Sequence, residues 1–312
     1  MPRPAVSAPV SGDRPLSLPA PADGRSVGVA LAYAVVCVVW GSTYFGIRVA
    51  LESFPPFFIG AVRFFVAGAA MFVVARARHE RAPTGAQWLG ALASGTLFFV
   101  VGNGLVNLAE RSVSSGLVSV LVATMPLWAS VFARLFGERI SRAEVVGVAL
   151  GLVGVAVLNL GGELRASPGG AVCGLLAPMG WALGSIVTRR VPSPPGTMGT
   201  AAPMLAGGGA MFVVSVAMRE HAMREPLAAA SVRSVIAVAY LCVVGSLVGF
   251  SAYTYLLKHT RPAFATSYAY VNPVIAVVLG CAFAGERFGA SSAVGTAIVL
   301  VAVIVVARAR AR

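Results

Sequence analysis

Charged residues are scarce in this sequence. Only 11% of the 312 residues are charged, about half the fraction typical of a soluble globular domain. There is one lysine, Lys258, and no aspartate follows Asp23. With 58% hydrophobic residues, this composition argues against ordinary soluble domains and favours an integral membrane protein.

The same scarcities argue against two energy sources. Lys258 stands outside any Walker A motif, so the usual phosphate-binding loop of an ATP-driven pump is not expected. No carboxylate lies at the centre of an apolar run, so the buried acid typical of a proton relay is missing. Glu110, at the end of one run, is the nearest candidate, and this leaves proton antiport and facilitated export both open.

Metal and cofactor sites are not expected. The four cysteines lie in four different apolar runs without the spacing of metal ligands, and they are expected to pack as small apolar residues. The three histidines all fall between runs, which makes a buried zinc site improbable. These residues are Cys37, Cys173, Cys242 and Cys281, and His79, His221 and His259.

Long apolar runs fill most of the chain. Each of ten runs is close to the roughly 20 residues that a helix needs to cross a bilayer. The expected fold class is therefore an all-α integral membrane protein with ten transmembrane helices. Residues 1–26 lack the pattern of a cleaved signal peptide and are predicted to form a disordered cytoplasmic tail. The runs span 27–50, 56–76, 87–108, 113–136, 143–160, 169–188, 197–218, 232–257, 263–284 and 289–307.

Basic residues predict the orientation of the chain. The net charge of +13 is spread over the ends of the runs rather than gathered in one patch, which argues against nucleic acid as a partner. With both termini in the cytoplasm, sixteen basic residues fall on that side and six on the other, as the positive-inside rule requires. Three of the six lie between 219 and 233. The abundance of arginine is typical of a GC-rich bacterial genome, so we expect a multi-pass protein of a bacterial inner membrane, with the lipid bilayer as its partner and no indication of oligomeric state.

The chain contains an internal repeat. The segment SGLVSVLVATMPLWASVFARLFGERISRAEVVGVALGLVGVAV at 115–157 is matched by AFATSYAYVNPVIAVVLGCAFAGERFGASSAVGTAIVLVAVIVV at 263–306. Both have a proline within the first apolar run, followed by Gly-Glu-Arg, where Glu138 and Glu286 are expected to close short turns. Each half holds five runs, and five is odd, so the second half is predicted to enter the membrane from the opposite side. The predicted repeats cover 27–161 and 168–307.

Several motifs together resemble one transporter family. WGSTYFGIRVALESFPPFFIGAVRF, VGNGLVNLAE, SYAYVNPVIAVVLG and the paired Gly-Glu-Arg turns are similar to the EamA-type drug/metabolite transporters, in particular to bacterial inner-membrane exporters of poorly defined substrate. The resemblance covers residues 27–307. It implies ten helices in two inverted bundles, a central cavity formed mainly by helices one, three, four, six, eight and nine, and export of amino acids or other small metabolites.

Polar, aromatic and proline residues inside the apolar runs are candidates for a substrate cavity. Pro126 and Pro273 leave backbone acceptors free at membrane depth, although each could be a static kink. Asn103 and Asn107 share one helix face and could line the cavity or bond between helices. The full candidate set is Trp40, Ser42, Thr43, Tyr44, Asn103, Asn107, Thr124, Pro126, Trp181, Ser185, Tyr253, Tyr268, Tyr270, Asn272 and Pro273.

Arg63 and Glu110 are candidate gate or structural charges. Arg63 lies about 10 Å inside the second run, where an arginine is costly. It could attract a substrate carboxylate, or it could pair with Glu52, Glu110 or helix-end carbonyls as a clamp. The clamp is favoured because helix two is not a main cavity helix in the family. A cavity without a central charge would suit neutral, zwitterionic or amphipathic molecules.

The leading interpretation is a secondary-type transporter that exports small metabolites, amino acids or drugs by alternating access. A channel or a sensor-type membrane protein is the alternative. An intramembrane hydrolase built on Ser185 would need a base, and no histidine lies in a run. The sequence therefore predicts no enzymatic activity.

Overall fold

A computed structural model describes residues 24–137, 141–160, 167–220, 230–260 and 267–310. Within these ranges the chain forms α-helices and two π-helical segments, without any strand. The first helix already begins at Gly24, three residues before the predicted start of the first run. Most of the predicted tail, the Glu138–Arg139 turn and the boundary between the predicted repeats lie outside the described residues.

The helices follow one another along the chain with short connections. In the first half they are α1 (Gly24–Ala50), α2 (Pro56–Ala77), α3 (Gly85–Gly95), the first π segment (Thr96–Gly104), α4 (Leu105–Ala109), α5 (Ser115–Val122), α6 (Met125–Leu135) and α7 (Arg142–Leu160). In the second half they are α8 (Pro168–Thr188), α9 (Met198–Ala217), α10 (Val232–Tyr240), the second π segment (Leu241–Val248), α11 (Gly249–His259), α12 (Tyr268–Phe283) and α13 (Ala290–Arg310).

Seven helical stretches in the described ranges are long and apolar enough to cross a membrane, and α12 and residues 290–306 of α13 are shorter apolar helices. The all-helical membrane class is thus confirmed, whereas ten spans and an inverted repeat stay predictions. The seven stretches are Val27–Ala50, Pro56–Ala77, Gly85–Ala109, Ser115–Leu135, Pro168–Thr188, Met198–Ala217 and Val232–Leu256.

The prolines at matching positions of the two predicted repeats occupy different positions in their helices. Pro273 lies inside the continuous helix α12, as predicted. Pro126 is not in mid-helix, because α5 ends at Val122 and α6 begins at Met125, so that Pro126 occupies the first turn of a new helix. The missing N–H of a proline costs nothing in the first turn, where backbone N–H groups have no partner within the helix.

Both π segments interrupt a membrane-spanning stretch. The first joins α3 to α4 and the second joins α10 to α11. Such segments are rare and often occur at functional sites. The sequence did not predict these segments. A π-helix has more residues per turn than an α-helix and so points its side chains in other directions, but it is built from the same apolar residues.

Helix pairing is the same when the two halves are exchanged. Helix α2 packs most extensively against α9, and α7 against α13. Helix α1 packs against α10, α11 and α12, while α8 packs against the first π segment, α4, α5 and α6. The first helix of each half therefore packs against helices of the other half.

Two glutamates tie the ends of helices α2 and α9 together. Glu80, after α2, accepts hydrogen bonds of 3.1 and 2.8 Å from the backbone N–H groups of residues 197–198, at the start of α9. Glu220, after α9, accepts bonds of 3.1 and 2.9 Å from those of residues 57–58, at the start of α2. A carboxylate at a helix N-terminus satisfies unpaired N–H groups and complements the helix dipole.

Glu286 makes a third cap of this kind. Its carboxylate accepts bonds of 2.8 and 3.3 Å from the backbone N–H groups of Ser115 and Gly116, at the start of α5, and one of 3.0 Å from the Ser115 hydroxyl. Its own N–H donates to Gly280 O at 3.1 Å, which closes the turn after α12. Gly285 has φ +65°, a left-handed conformation that glycine adopts without strain. The carboxylate thus links α12 to α5 besides ending its own helix.

Candidate substrate cavity

A cavity of about 740 Å³ lies between the two halves. Its wall is formed by α1, α2, the first π segment and α4 to α6 from the first half, and by α8, α11 and α12 from the second. Seven of the fifteen predicted cavity residues line it, and Arg63 does so as well. The seven are Trp40, Thr43, Tyr44, Asn103, Trp181, Tyr268 and Asn272.

Trp40 is held firmly in one wall. Its ring centroid lies 4.7 Å from that of Tyr268 and 5.1 Å from those of Phe250 and Tyr253. Its indole N–H donates to Gly245 O in the second π segment at 3.1 Å. Because buried indoles need a partner for this N–H, the bond fixes the ring as a preformed apolar surface.

Trp181 makes a corresponding wall on the other side. Its ring lies 5.4 Å from that of Phe98 and rests against Gly102 of the first π segment. Trp40 rests in the same way against Gly249, the residue that follows the second π segment. A Cβ at either glycine would collide with the indole, so each tryptophan requires a glycine in the opposite half.

Two amides bring polar atoms to the cavity. Asn103 donates from its side-chain nitrogen to Phe98 O at 3.0 Å. The side-chain amide of Asn272 is oriented so that its nitrogen faces two carbonyl oxygens. This nitrogen donates to Tyr268 O at 3.2 Å and to Cys37 O at 3.3 Å. Both side chains thus meet backbone carbonyls within their own or a neighbouring helix.

The other eight predicted residues do not line this cavity. Several small polar side chains bond to a carbonyl of their own helix instead, as Ser42 does to Val38 O at 2.7 Å and Ser185 does to Trp181 O at 2.8 Å. Such local bonding is common for hydroxyl side chains in helices. Ser42 also shares a 2.6 Å hydrogen bond with the Tyr240 hydroxyl.

Asn107 and Thr124 are buried in helix contacts. Asn107 donates to Pro56 O at 2.9 Å, which is the interhelical bond weighed against the cavity role. Thr124 donates to Leu121 O at 2.6 Å and lines a separate apolar cavity of about 470 Å³. The last four candidates do not line it either: Tyr253 and Tyr270 pack against hydrophobic clusters, Pro273 is buried within α12, and Pro126 lies in the first turn of α6.

Arg63 is the one charged side chain in the cavity wall. It is only 4% exposed, and its Nε donates to the Ser246 hydroxyl at 2.9 Å. Among the described residues it makes no ion pair within 4.0 Å. Glu52, one of its predicted clamp partners, lies 3.6 Å from Arg233 instead. The cavity therefore carries a charge, contrary to the expectation from the sequence.

Glu110 lies at a second, wider cavity of about 900 Å³, here called the charged vestibule. Its carboxyl is fully buried, and neither oxygen has a hydrogen-bond partner among the described residues. It is the first residue after the Gly85–Ala109 stretch. Burial raises the pKa of this carboxyl well above its usual range, the charge of Glu286 adds to the rise, and Arg48 and Arg63 oppose it. The vestibule is also lined by Arg48, Glu52, Arg111 and Arg233.

Comparison with known proteins gives consistent matches. The model of the EamA-like transporter family matches residues 27–160 and again residues 168–308. The chain is 40% identical over 270 residues to the uncharacterized inner membrane transporter YedA of Escherichia coli (strain K12), covering 86% of this chain and 87% of the relative. It is 24% identical over 264 residues to the uncharacterized transporter YdfC of Bacillus subtilis (strain 168), with 84% and 85% covered.

A solved structure has a similar fold. It covers 93% of this chain and 100% of its own, with a TM-score of 0.61 and 20% sequence identity. At this identity the likeness concerns the arrangement of the helices alone.

Proposed function

The chain belongs to the EamA-like transporter family and is a membrane transporter, and we propose that it moves small metabolites, amino acids or drugs out of the cell by alternating access. The observation that carries this proposal is the cavity between the two halves, to which both contribute aromatic and polar side chains. Transporters built from repeats bind their substrates at the interface of the repeats.

Two inverted five-helix repeats, 27–161 and 168–307, are part of the proposal. The family model matches the chain twice with nearly the same boundaries. The exchange of helix partners between the halves and the reciprocal caps of Glu80 and Glu220 support the same arrangement. Rocking of one repeat against the other would open the cavity to each side in turn.

The proposed orientation is supported by the distribution of basic residues. With both termini in the cytoplasm of a bacterial cell, the charged vestibule faces the outside and the end that carries Glu80 faces the cytoplasm. A molecule released from the cavity through the vestibule would then leave the cell.

A hydrolase built on Ser185 has no support in the geometry. The Ser185 hydroxyl donates to Trp181 O, and no histidine bonds to it among the described residues. A serine nucleophile needs a base within hydrogen-bond reach. His79 and His259 stand after α2 and at the end of α11, away from the cavity.

Transport by the purified full-length chain in proteoliposomes tests the proposal. We expect saturable movement of at least one compound from a panel of amino acids and cationic dyes, measured with and without a proton gradient. Trp40→Ala should reduce the rate about tenfold, because it removes a rigid part of the cavity wall. Trp88→Ala, which alters a tryptophan outside the cavity that stacks on Phe72, is the matched control and should transport normally.

Two results would contradict the proposal. One is the absence of saturable transport for the whole panel. The other is ion current that rises linearly with concentration, which is typical of the channel alternative.

A further inference from the structure

We propose that Arg63 binds a carboxylate of the transported molecule, so that the substrates are small carboxylates with an apolar or aromatic body. This inference rests on the proposed transport function and specifies its substrate class. It follows from three features of the cavity: an arginine without an acidic partner, a hydroxyl that orients it, and aromatic walls on either side.

The first feature is the uncompensated charge of Arg63. Its side chain is 4% exposed within α2, where an ionised group is costly unless it is paired. A guanidinium has five N–H donors, and the Nε–H bond to Ser246 uses one of them. No carboxylate of the described residues lies within 4.0 Å of the remaining donors.

The clamp predicted from the sequence does not account for this arginine. Glu52 is on the surface beside Arg233, at 3.6 Å. Glu110 influences Arg63 electrostatically, yet neither of its oxygens accepts a hydrogen bond from any described residue. A static clamp would pair the guanidinium with one of these carboxylates or with helix-end carbonyls. The hydrogen bond that the described residues give Arg63 goes to the Ser246 hydroxyl instead.

The second feature is the position of the guanidinium. Ser246 holds its Nε edge from the second π segment, and the group lies 4.8 Å over the ring of Phe64. Gly245 leaves room beside it, since a Cβ there would stand 3.3 Å from a terminal nitrogen of Arg63 and 3.1 Å from the Thr43 methyl. An arginine oriented in this way has a planar pair of terminal N–H groups that match the two oxygens of a carboxylate.

The third feature is the apolar wall around this charge. Trp40, Tyr268, Phe250 and Trp181 line the same cavity as Arg63. Small-molecule sites combine mostly apolar walls with a few polar anchors, and this lining has that composition. The chemistry that fits is an acid group at Arg63 and an aromatic or aliphatic body against the tryptophans.

The charged vestibule is compatible with an acidic substrate. It is lined by three arginines and two glutamates, so it keeps a positive excess even with both carboxyls ionised. Ile47 lines the cavity and Arg48, the next residue of α1, lines the vestibule. An anion that leaves Arg63 would therefore meet further cationic groups along α1.

Pairs of ligands that differ only in the acid group test the inference. The probes are L-phenylalanine with L-phenylalaninamide, and 3-phenylpropanoate with 3-phenylpropanamide. Binding to the purified full-length chain is followed by tryptophan fluorescence, and transport is followed in proteoliposomes. We expect each acid to bind at least about tenfold more tightly than its amide, because a charge-assisted bond replaces a neutral one.

Variants of Arg63 assign the preference to this residue. Arg63→Gln should weaken binding of the acids roughly 10- to 100-fold and change binding of the amides little. Arg63→Lys, which keeps the charge without the planar pair of donors, should retain part of the preference. Arg189→Gln, which alters an exposed arginine outside both the cavity and the vestibule, is the matched control and should leave the acid preference unchanged.

A third variant covers the case in which Arg63→Gln does not fold. Ser246→Ala keeps the charge and removes the hydroxyl that orients Nε, and it should reduce the acid preference about threefold to tenfold. Equal binding of acids and amides by the wild type would overturn the inference, as would an acid preference that survives undiminished in Arg63→Gln. Where only Ser246→Ala folds, an acid preference equal to that of the wild type would overturn it. Failure of both acids to bind below about 10 mM would overturn it as well.

The inference and the proposed function can fail separately. Saturable transport of amides or cationic dyes without preference for acids would overturn the Arg63 site and leave the transporter function standing. Acid-selective binding in detergent without transport of any probe would support the site and contradict the transporter function.

Discussion

Arg63 and Glu110 are both buried residues of charged type, but their hydrogen bonding differs. Arg63 is held by a hydroxyl and faces a cavity, whereas the carboxyl of Glu110 is enclosed without a hydrogen-bond partner among the described residues. A buried group without a partner shifts toward its neutral form, because desolvation penalises the charge. Glu110 is therefore the residue at which a change of pH is expected to alter the protein.

Glu110→Gln should change the dependence of stability on pH. The raised pKa of Glu110 means that the folded chain binds more protons than the unfolded chain between the unfolded and folded pKa values. Its contribution is complete below the unfolded pKa and is lost as pH rises through the folded pKa. The glutamine variant lacks this loss, so at alkaline pH it should be more stable than the wild type by about 1–3 kcal/mol.

The measurement is the thermal unfolding midpoint of both proteins in detergent over a series of pH values. Glu52→Gln is the control, because Glu52 is exposed beside Arg233 and its replacement should leave the pH profile nearly unchanged. A Glu110→Gln profile that still falls with pH as steeply as the wild-type profile would show that Glu110 is not the group responsible.

Residue types predicted part of the cavity. Large aromatic and amide side chains deep in an apolar run, such as Trp40, Trp181 and Asn272, do line it. Serine hydroxyls were poorer indicators of the cavity lining, because Ser42 and Ser185 donate hydrogen bonds to backbone carbonyls one turn earlier in their own helices. For Arg63, the available signal was an arginine well inside an apolar run that contains no acid.

At the scale of whole elements, the three glutamate caps join helices that are distant in the sequence. The carboxylates of Glu80, Glu220 and Glu286 each bind the N–H groups at the start of a helix in the opposite half. The hydrogen bond from Met198 N–H, aided by that from Thr197, holds the pKa of Glu80 below its usual range. Its stabilising effect is thus present above the unfolded pKa and lost as pH falls.

Removal of one cap should loosen one pair of helices. Glu220→Gln keeps the size of the side chain and removes its charge, so it should lower the stability of the α2–α9 pair by about 0.5–2 kcal/mol. Glu80→Gln should act in the same direction at the other end of the pair. Hydrogen exchange of residues 57–58 and 197–198 reports which end has opened.

The pattern of exchange gives the discriminating result. Glu220→Gln should accelerate exchange at 57–58 and leave 197–198 near the wild-type rate, and Glu80→Gln should do the reverse. Unchanged exchange in both variants would mean that the caps do not stabilise these helix ends.

Prolines and glycines have different structural roles in helices whose sequences look alike. Pro273 continues α12, while Pro126 starts α6 after a break. The two π segments each bring a glycine against a tryptophan of the opposite half, at or just after the segment. Local sequence cannot distinguish these cases, because the helix that packs alongside determines whether the chain bends, breaks or widens.

At the scale of the whole molecule, the two halves enclose the cavity by exchanging helix partners. Apolar helices α2 and α9 pack extensively against each other, as do α7 and α13. Because lipid is as apolar as these side chains, the halves are held by close packing and by polar contacts such as the caps.

Reporter fusions test the proposed orientation. Green fluorescent protein fused after Arg312 should fluoresce, and alkaline phosphatase at the same site should be inactive, because the excess of basic residues predicts that both termini lie in the cytoplasm. Alkaline phosphatase fused after Ser112, which follows three predicted spans, should be active.

The fusion sites are also controls for each other. Active phosphatase after Arg312 together with inactive phosphatase after Ser112 would reverse the orientation. Active phosphatase at both sites would show an even number of spans between Ser112 and Arg312, whereas ten spans predict seven.

Sequence alone determined the class, the family likeness and the position of the apolar runs, because the hydropathy of each run is a local property set by its own residues. The tertiary structure decided which polar groups meet. Arg63 finds Ser246 across a sequence separation of 183, and Trp40 finds Gly245 across 205. Contacts of this kind depend on how helices from different halves pack. The hydropathy of one run does not indicate which distant residues pack against it.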